Sequence, residues 1–349
     1  MSRAYTGRDL EVFWGREANW KDGIAGIHQA FNPMAKVPIP KPTYRHAHVK
    51  TAERLENAIS YTELLEPGEK DFETYYRDPF IMACAFNHKT CTYVGGTGTV
   101  NFDNGGAHGD HDSIWMQYHK EDHHGANNID RTLIGGELTS YGWKCEKGGV
   151  LMESFGAKFA DIDLAPGAIP MLANNNYHNG AFGASGGWAA YDSNTPQAKH
   201  ASDLNITWNG AGGSIAGIDI ESFDFKLTTP KEHAHVLSSL VAGVHWDSGA
   251  DFECDVTGFL ESLEELEEVE RAWHDQTPGT IRIYSDTTVG EEKYIQFTEA
   301  YIDSFDTYDI PSASEPIKIT MTLIGGAGTR ASYHGVFVEG ATPCNQITT

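Results

Sequence analysis

Ile317-Lys318-Ile319-Thr320-Met321-Thr322-Leu323 closes the stretch Phe252–Gly325, and the reading of this stretch decides the fold. Apolar and polar residues alternate along it, which predicts a strand with one buried face. The stretch opens on a second alternating run, Phe252-Glu253-Cys254-Asp255-Val256. After Gly258 the period changes. Phe259, Leu263, Leu266 and Trp273 recur at helical spacing, with Leu260 and Val269 widening the stripe, and predict an amphipathic helix from Phe259 to about His274. Thr277-Pro278-Gly279 stops it. Strand-like runs follow at Thr280–Tyr284, Tyr294–Phe305 and Ile317–Ile324, so the unit reads strand, helix, strand, strand, strand.

Working outward, Ser113–Tyr118, Leu133–Trp143 and Val150–Phe159 read as strands, the last two around the turn Lys147-Gly148-Gly149. Ile59–Glu63 is a strand, and Glu69–Asp78 has helical character with Phe72, Tyr75 and Tyr76 on one side. Pro79 breaks that helix or begins a second short one through Phe86. Tyr44–Glu53, Leu204–Trp208, Ile218–Leu227 and Gly335–Val338 are further strands. Cys91–Val94 and Thr99–Phe102 flank Gly95-Gly96-Thr97-Gly98 and predict a hairpin. No Lys-Ser/Thr follows those glycines, which excludes a phosphate loop.

The strand order of residues 46–203 then matches that of residues 204–349 element by element. Ile59–Glu63 is set against Phe252–Val256, with an insertion at 87–112 and a Gly/Asn-rich connection at 165–203. We read the chain as a duplicated, mainly β fold with one helix per half, each half large enough for its own core.

The Pro316–Gly325 strand with its upstream helix resembles the major tail tube proteins of long-tailed double-stranded DNA viruses. So does Ser113–Phe159, with Leu133-Ile134-Gly135-Gly136-Glu137-Leu138-Thr139-Ser140 and Glu146-Lys147-Gly148-Gly149. Together the resemblance covers roughly two thirds of the chain. It rests on strands and turns, not on catalytic signatures. It implies a β-sandwich or barrel flanked by a helix, and subunits joined sheet edge to sheet edge into stacked rings of six-fold or pseudo-six-fold symmetry. The partners it implies are the chain itself, other tail proteins, and viral DNA passing through the lumen without specific binding. With two units per chain the expected ring is a trimer, with a hexamer as the alternative. The expected location is the virion tail, after synthesis in the host cytoplasm.

Residues 1–45 read as an extended N-terminal arm. Phe13, Trp14 and Trp20 set aromatics among Gly and charged residues, and Val37-Pro38-Ile39-Pro40-Lys41-Pro42 is too proline-rich for a helix or a central strand. Phe13, Trp14, Trp20, Val37 and Ile39 are candidate subunit contacts. The competing reading packs the segment on its own domain.

Composition narrows the function. Of the residues, 40% are hydrophobic and 21% charged, as in a folded protein, and the 37 glycines favour a turn-rich β fold. No apolar run is long enough to span a bilayer, and Met1-Ser2-Arg3-Ala4-Tyr5 lacks the apolar core of a signal peptide. The net charge of −24, from 49 acidic and 25 basic residues, argues against a nucleic-acid-binding module. It suits a channel wall that does not hold DNA; adaptation to high salt would also produce it. Five scattered cysteines, Cys84, Cys91, Cys145, Cys254 and Cys344, have no metal-site spacing and read as reduced, mostly buried thiols.

His108, His111, His119, His123 and His124 lie among carboxylates, but a predicted strand separates them into two groups. They read as polar loops rather than a metal site. The densest acidic set, Glu261, Glu264, Glu265, Glu267, Glu268 and Glu270, lies on the predicted helix as a solvated face. No nucleophile elbow, His-Glu-x-x-His or P-loop is present, so no catalytic, metal or cofactor residues are assigned. The alternatives to a tube subunit are a β-sandwich binding module or capsid-surface protein and, further off, a carboxylate- or metal-dependent hydrolase.

Overall fold

The computed structural model describes residues 10–17, 19–21, 28–31, 34–36, 43–50, 57–66, 68–76, 79–86, 88–94, 97–103, 112–120, 129–163, 201, 204–210, 213–215, 219–235, 242–247, 250–260, 262–308 and 317–338. Over these the protein is mainly β, with twenty-one strands and two helices. The first half comprises β1 (Leu10–Arg16), β2 (His28–Phe31), β3 (Met34–Lys36), β4 (Thr43–Lys50), β5 (Asn57–Glu66), β6 (Gly68–Tyr75), α1 (Phe80–Ala83), β7 (His88–Val94), β8 (Thr97–Asp103), β9 (Ile114–Lys120), β10 (Ile129–Glu146), β11 (Met152–Phe159) and β12 (Asp161–Asp163). The second comprises β13 (Asn205–Gly210), β14 (Gly213–Ile215), β15 (Asp219–Thr228), β16 (Lys231–His235), β17 (Ala242–Asp247), β18 (Asp251–Leu260), α2 (Leu263–His274), β19 (Gly279–Asp286), β20 (Lys293–Tyr308) and β21 (Ile317–Val338).

All pairings are antiparallel, and they repeat. The order β2-β1-β9-β10-β11-β6-β3 in the first half recurs as β14-β13-β19-β20-β21-β18-β15 in the second. Separate two-stranded ribbons, β4–β5 and β16–β17, occupy corresponding places in chain order. The hairpin β7–β8 is extra to the first half.

Register repeats as well as order. β10 slips against β9 between Leu133 and Gly136, and against β11 between Leu138 and Ser140. β20 slips against β19 between Phe297 and Ala300, and against β21 between Thr298 and Ala300 and between Ile302 and Ser304. Gly135 (φ 62°) and Glu299 (φ 56°) hold the same left-handed bulge position. A Cβ on Gly135 would lie 2.6 Å from Lys21 Cγ, so crowding adds to the preference for glycine that a left-handed φ gives.

The core follows from this registration. Trp14 and Trp208, Val12 and Ile206, Tyr76 and Leu260, Leu133 and Phe297, and Phe155 and Met321 occupy matching positions, and all are buried. Phe252 stacks on Phe297 with ring centroids 3.7 Å apart, and Phe225 packs against both. Each such side chain contributes about 1.5–3 kcal/mol by leaving water.

Several expectations change. Glu69–Asp78 is not helical: its described part belongs to β6, where Phe72 and Thr74 are buried and Glu69, Asp71 and Glu73 exposed. Phe72, Tyr75 and Tyr76 fit a helical period only because aromatics also occur at odd spacing in a strand. The second short helix reduces to α1, with Pro79 at its N-cap. The counterpart of Phe252–Val256 is therefore β6, not Ile59–Glu63.

The later helix begins at Leu263, because Phe259 and Leu260 continue β18. Its buried residues are Leu266 and Val269, whereas Leu263 is 60% and Trp273 41% exposed. Gly335–Val338 is not a separate strand in a tail but the end of β21. Most of the 165–203 connection lies outside the described residues.

Candidate functional site

Eight strands form one continuous wall across both halves, in the order β3-β6-β11-β10-β15-β18-β21-β20. Its centre is the joint between the repeats, where Ser140–Glu146 of β10 pair with Ser222–Thr228 of β15. Only the C-terminal half of β10 lies in the wall. The Gly135 and Thr139 bulges divert its N-terminal half to β9 and β12.

Beyond the joint, the Thr229 amide donates to Thr139 O at 2.8 Å and the Thr229 hydroxyl to Leu138 O at 3.0 Å. Backbone groups alternate sides along a strand. The amides of Phe223, Phe225 and Leu227 therefore face β10 with that of Thr229, and those of Asp224, Lys226 and Thr228 face β18.

One face of the wall is apolar and buried, carrying Phe72, Phe155, Tyr141, Phe225, Cys254 and Met321. The other is solvated, and its exposed residues include Asp71, Glu73, Asp224, Asp251, Glu253, Asp255 and Asp306 against Lys144 and Lys226. The acids repeat with the fold: Glu69 and Asp71 on β6 stand where Glu253 and Asp255 stand on β18. Lys144, Asp224, Asp255 and Thr322 form one cross-strand row, and the Thr322 hydroxyl donates to Asp255 Oδ1 at 2.7 Å. Burial raises the Asp224 carboxyl above its usual range; Lys144 opposes the rise and Asp255 adds to it.

The buried side of the joint holds a polar cluster. Trp143 Nε1 donates to the Tyr141 hydroxyl at 2.6 Å, and that hydroxyl donates to Glu153 at 2.6 Å. Burial raises the Tyr141 hydroxyl far above its usual range, so it remains a donor. A cavity of about 370 Å³ opens at the end of the joint, among Cys145, Lys147, Leu204, Ile206 and Phe223. Beside it Lys318 Nζ bonds Glu221 Oε2 at 2.5 Å, which holds that carboxyl below its usual range.

The wall ends on β3 at one side and on the C-terminal half of β20 at the other. Among the described residues, no strand pairs with the outer edge of Ser304–Tyr308. The bulge carbonyl just before it, on Asp303, accepts the Trp273 indole N–H at 3.0 Å. Trp273 also packs edge-on against Phe305.

The proposed arm residues fall in different places. Phe13 and Trp14 lie on β1, paired with β9 and β2 of the same chain, and Trp14 is 4% exposed. That part of residues 1–45 is sheet, not an extended arm. Trp20 is half-buried, its indole donating to Gly135 O at 3.3 Å. Glu17, buried beside it, accepts the Gly135 amide at 3.0 Å. Val37 and Ile39 lie outside the described residues.

The histidine cluster is mostly outside them too. His119 lies on β9, while Asp112 forms an ion pair with Arg16 at 2.6 Å. Among the described residues no group of three or more His, Cys, Asp or Glu could hold a metal ion, and no helix is long and apolar enough to cross a membrane. Among the described residues Cys84, Cys145 and Cys254 are buried and form no disulfide; Cys344 lies outside them.

Sequence reasoning missed the wall. Its signal is the alternation of β15 and β18, which places Asp224, Lys226, Glu253 and Asp255 on one face. No protein-family model matches this chain, and no curated protein matches it significantly.

Proposed function

We propose that this protein is the major tube subunit of a long-tailed double-stranded DNA virus, a structural component of the virion tail. One observation carries the reading: the chain already joins two copies of a β unit edge to edge into one wall, through the β10–β15 ladder. A protein that builds walls this way within one chain has the machinery to extend them between chains. The solvated face then lines a conduit. Its excess of carboxylates repels phosphates, so DNA passes without being held. Rings of the subunit stack head to tail, and other tail proteins terminate the stack. The role is mechanical and requires no catalysis.

Negative-stain microscopy of the purified protein tests this. Rings or stacked tubes are expected. Monodisperse particles at all concentrations would overturn it and favour a β-sandwich binding module or capsid-surface protein.

A further inference from the structure

We propose that Arg282 on β19, with Tyr294 and His334 beside it, forms a binding site for the carboxylate group of a small ligand on the outer face of the second repeat. The site lies outside the acidic wall and does not depend on the tube reading.

The sheet that carries it runs β13-β19-β20-β21-β8, through the N-terminal half of β20 and the C-terminal half of β21. Its inner face holds Ile281, Ile295 and Phe297, all buried. On the outer face one cross-strand row reads Tyr284, Tyr294, His334, Asn101, and the next reads Arg282, Gln296, Ser332, Asp103. All of these side chains are partly exposed. The chain has a net charge of −24, yet within these two rows the carboxylate is Asp103 alone, and it stands on β8, at the far end of the row from Arg282.

Arg282 is held in one orientation. Its Nε donates to Gln296 Oε1 at 2.6 Å, and its guanidinium carbon lies 5.1 Å from the centroid of the Tyr294 ring. Gln296 occupies the Nε side of the fork, which leaves the two terminal amino groups as a planar pair of donors. That pair matches the two oxygens of a carboxylate. Among the described residues no Asp or Glu forms an ion pair with Arg282.

The packing of the repeat does not call for arginine here. In the first repeat Gln117 of β9 and Thr132 of β10 hold the positions of Arg282 and Gln296, and both are buried and uncharged. The second repeat keeps the register but sets an arginine and its amide clamp there, both partly exposed.

His334 completes the site from β21. Its ring centroid is 5.1 Å from that of Tyr294, and Tyr284 flanks the same tyrosine at 5.0 Å. His334 Nδ1 donates to Asn101 Oδ1 at 2.7 Å. An amide oxygen can only accept, so Nε2 gains a proton only when the ring becomes charged. Burial, against Glu292 and with Arg282, holds that charging below the ordinary histidine range. Facing His334 are Arg282 and Tyr284 from β19, Tyr294 from β20, Asn101 and Asp103 from β8, and Glu292, whose Oε2 accepts the Gly290 amide at 3.1 Å. At neutral pH the site therefore carries the one charge of Arg282, the complement of one carboxylate, and it gains a second as pH falls.

Arginine side-chain NMR of the full chain tests the site, with acetate as the probe. At pH 7 acetate should move the Arg282 guanidinium signal saturably; the signal is identified by its loss in Arg282→Lys. Arg330, exposed on β21, is the internal control. Acetamide, of the same shape without the charge, should move neither. Gln296→Met frees the guanidinium and should weaken acetate binding by about tenfold, the worth of one orienting hydrogen bond to a charged group. Acetate should bind the unaltered chain more tightly as pH falls toward about 5.5, and His334→Gln should lose that tightening.

Arg282 and Arg330 signals that shift together mean an adventitious ion only and overturn the proposal. So do equal shifts with acetamide, acetate binding undiminished in Gln296→Met, or inorganic phosphate binding more tightly than acetate at pH 7. Tightening retained in His334→Gln overturns the part assigned to His334. Ring formation is read separately by microscopy, so failure of the tube reading leaves this site standing, and the reverse holds too.

Discussion

Asp224 on β15 lies directly opposite Asp255 on β18. Like charges facing each other across a ladder are destabilising. The register of β15 on β18 places both on the solvated face, and Lys144, on the far side of Asp224, offsets the repulsion in part.

Replacing Asp224 by Asn should therefore stabilise the protein at neutral pH, by about 0.2–1 kcal/mol for a half-exposed cross-strand pair. The pH dependence has a definite sign. The folded-state pKa of Asp224 is raised above its ordinary value, so between the two the folded chain binds more protons than the unfolded one. Stability from this residue rises as pH falls through the raised pKa. Urea unfolding of both proteins, from pH 7 down to the usual carboxylate range, checks this. The advantage of Asp224→Asn should shrink as pH falls; a constant or growing difference would contradict it.

A sharper contrast lies on α2. Leu266 is 6% exposed and Leu263 60%. Leu266→Ala should cost about 2–5 kcal/mol, as for other buried leucines. Leu263→Ala and Glu264→Gln should each cost under about 0.5 kcal/mol, as for surface changes. Thermal or chemical unfolding measures all three. A loss at Leu263 as large as at Leu266 would mean that the helix presents another face to the sheet.

That contrast marks how much was legible in the sequence. The periods of two and of three-to-four residues located most strands and the helix, because burial on one face imposes them. The helix start was misplaced because Phe259 and Leu260 satisfy both periods: β18 simply continues, and Ser262 supplies the cap. β6 was misread for the same reason, with Phe72 and Tyr76 four residues apart and both buried.

The duplication was legible as element order but with the wrong first partner. Register cannot be read from composition, whereas Gly135 and Glu299 identify it at once in backbone geometry. A glycine and a glutamate share no chemical label, only a φ angle. The wall was illegible because β10 and β15 are distant in sequence, and nothing local in Ser140–Glu146 names its partner.

The N-terminus of α2 offers an independent check. Ser262 Oγ accepts the Glu265 amide at 3.3 Å, and the Glu265 carboxylate accepts the Ser262 amide at 3.3 Å. Ser262→Ala should cost about 1 kcal/mol, within the usual range for losing a cap. Ser262→Asp, which retains an acceptor, should recover most of it. Equal destabilisation by both would show that the hydroxyl does not cap the helix. The measurement is again an unfolding midpoint.

The last prediction concerns the ring. If the chain is the tube subunit proposed above, its two copies of the unit let three chains supply six units around an axis, with pseudo-six-fold symmetry. On the proposed tube reading, a ring of six chains would hold twelve units, whereas three chains hold six. We therefore expect three chains per ring, measured by image reconstruction of assembled tubes and by mass measurement of single rings; six identical chains would rule this out.

The same reconstruction locates the wall. Its solvated face, with Asp71, Glu73, Asp224, Glu253 and Asp255, should line the lumen, and the buried face should turn outward toward α2 and the remaining strands. Replacing Asp71 and Asp255 by Lys should leave the strands intact, since both side chains are exposed. It should also make tubes retain double-stranded DNA at low salt and release it as salt rises, because retention would then come from phosphate contacts. Tubes of the unaltered protein should not retain DNA at any salt concentration. Retention by the unaltered tube, or a lumen lined mainly by Lys and Arg, would show that the acidic face lies elsewhere.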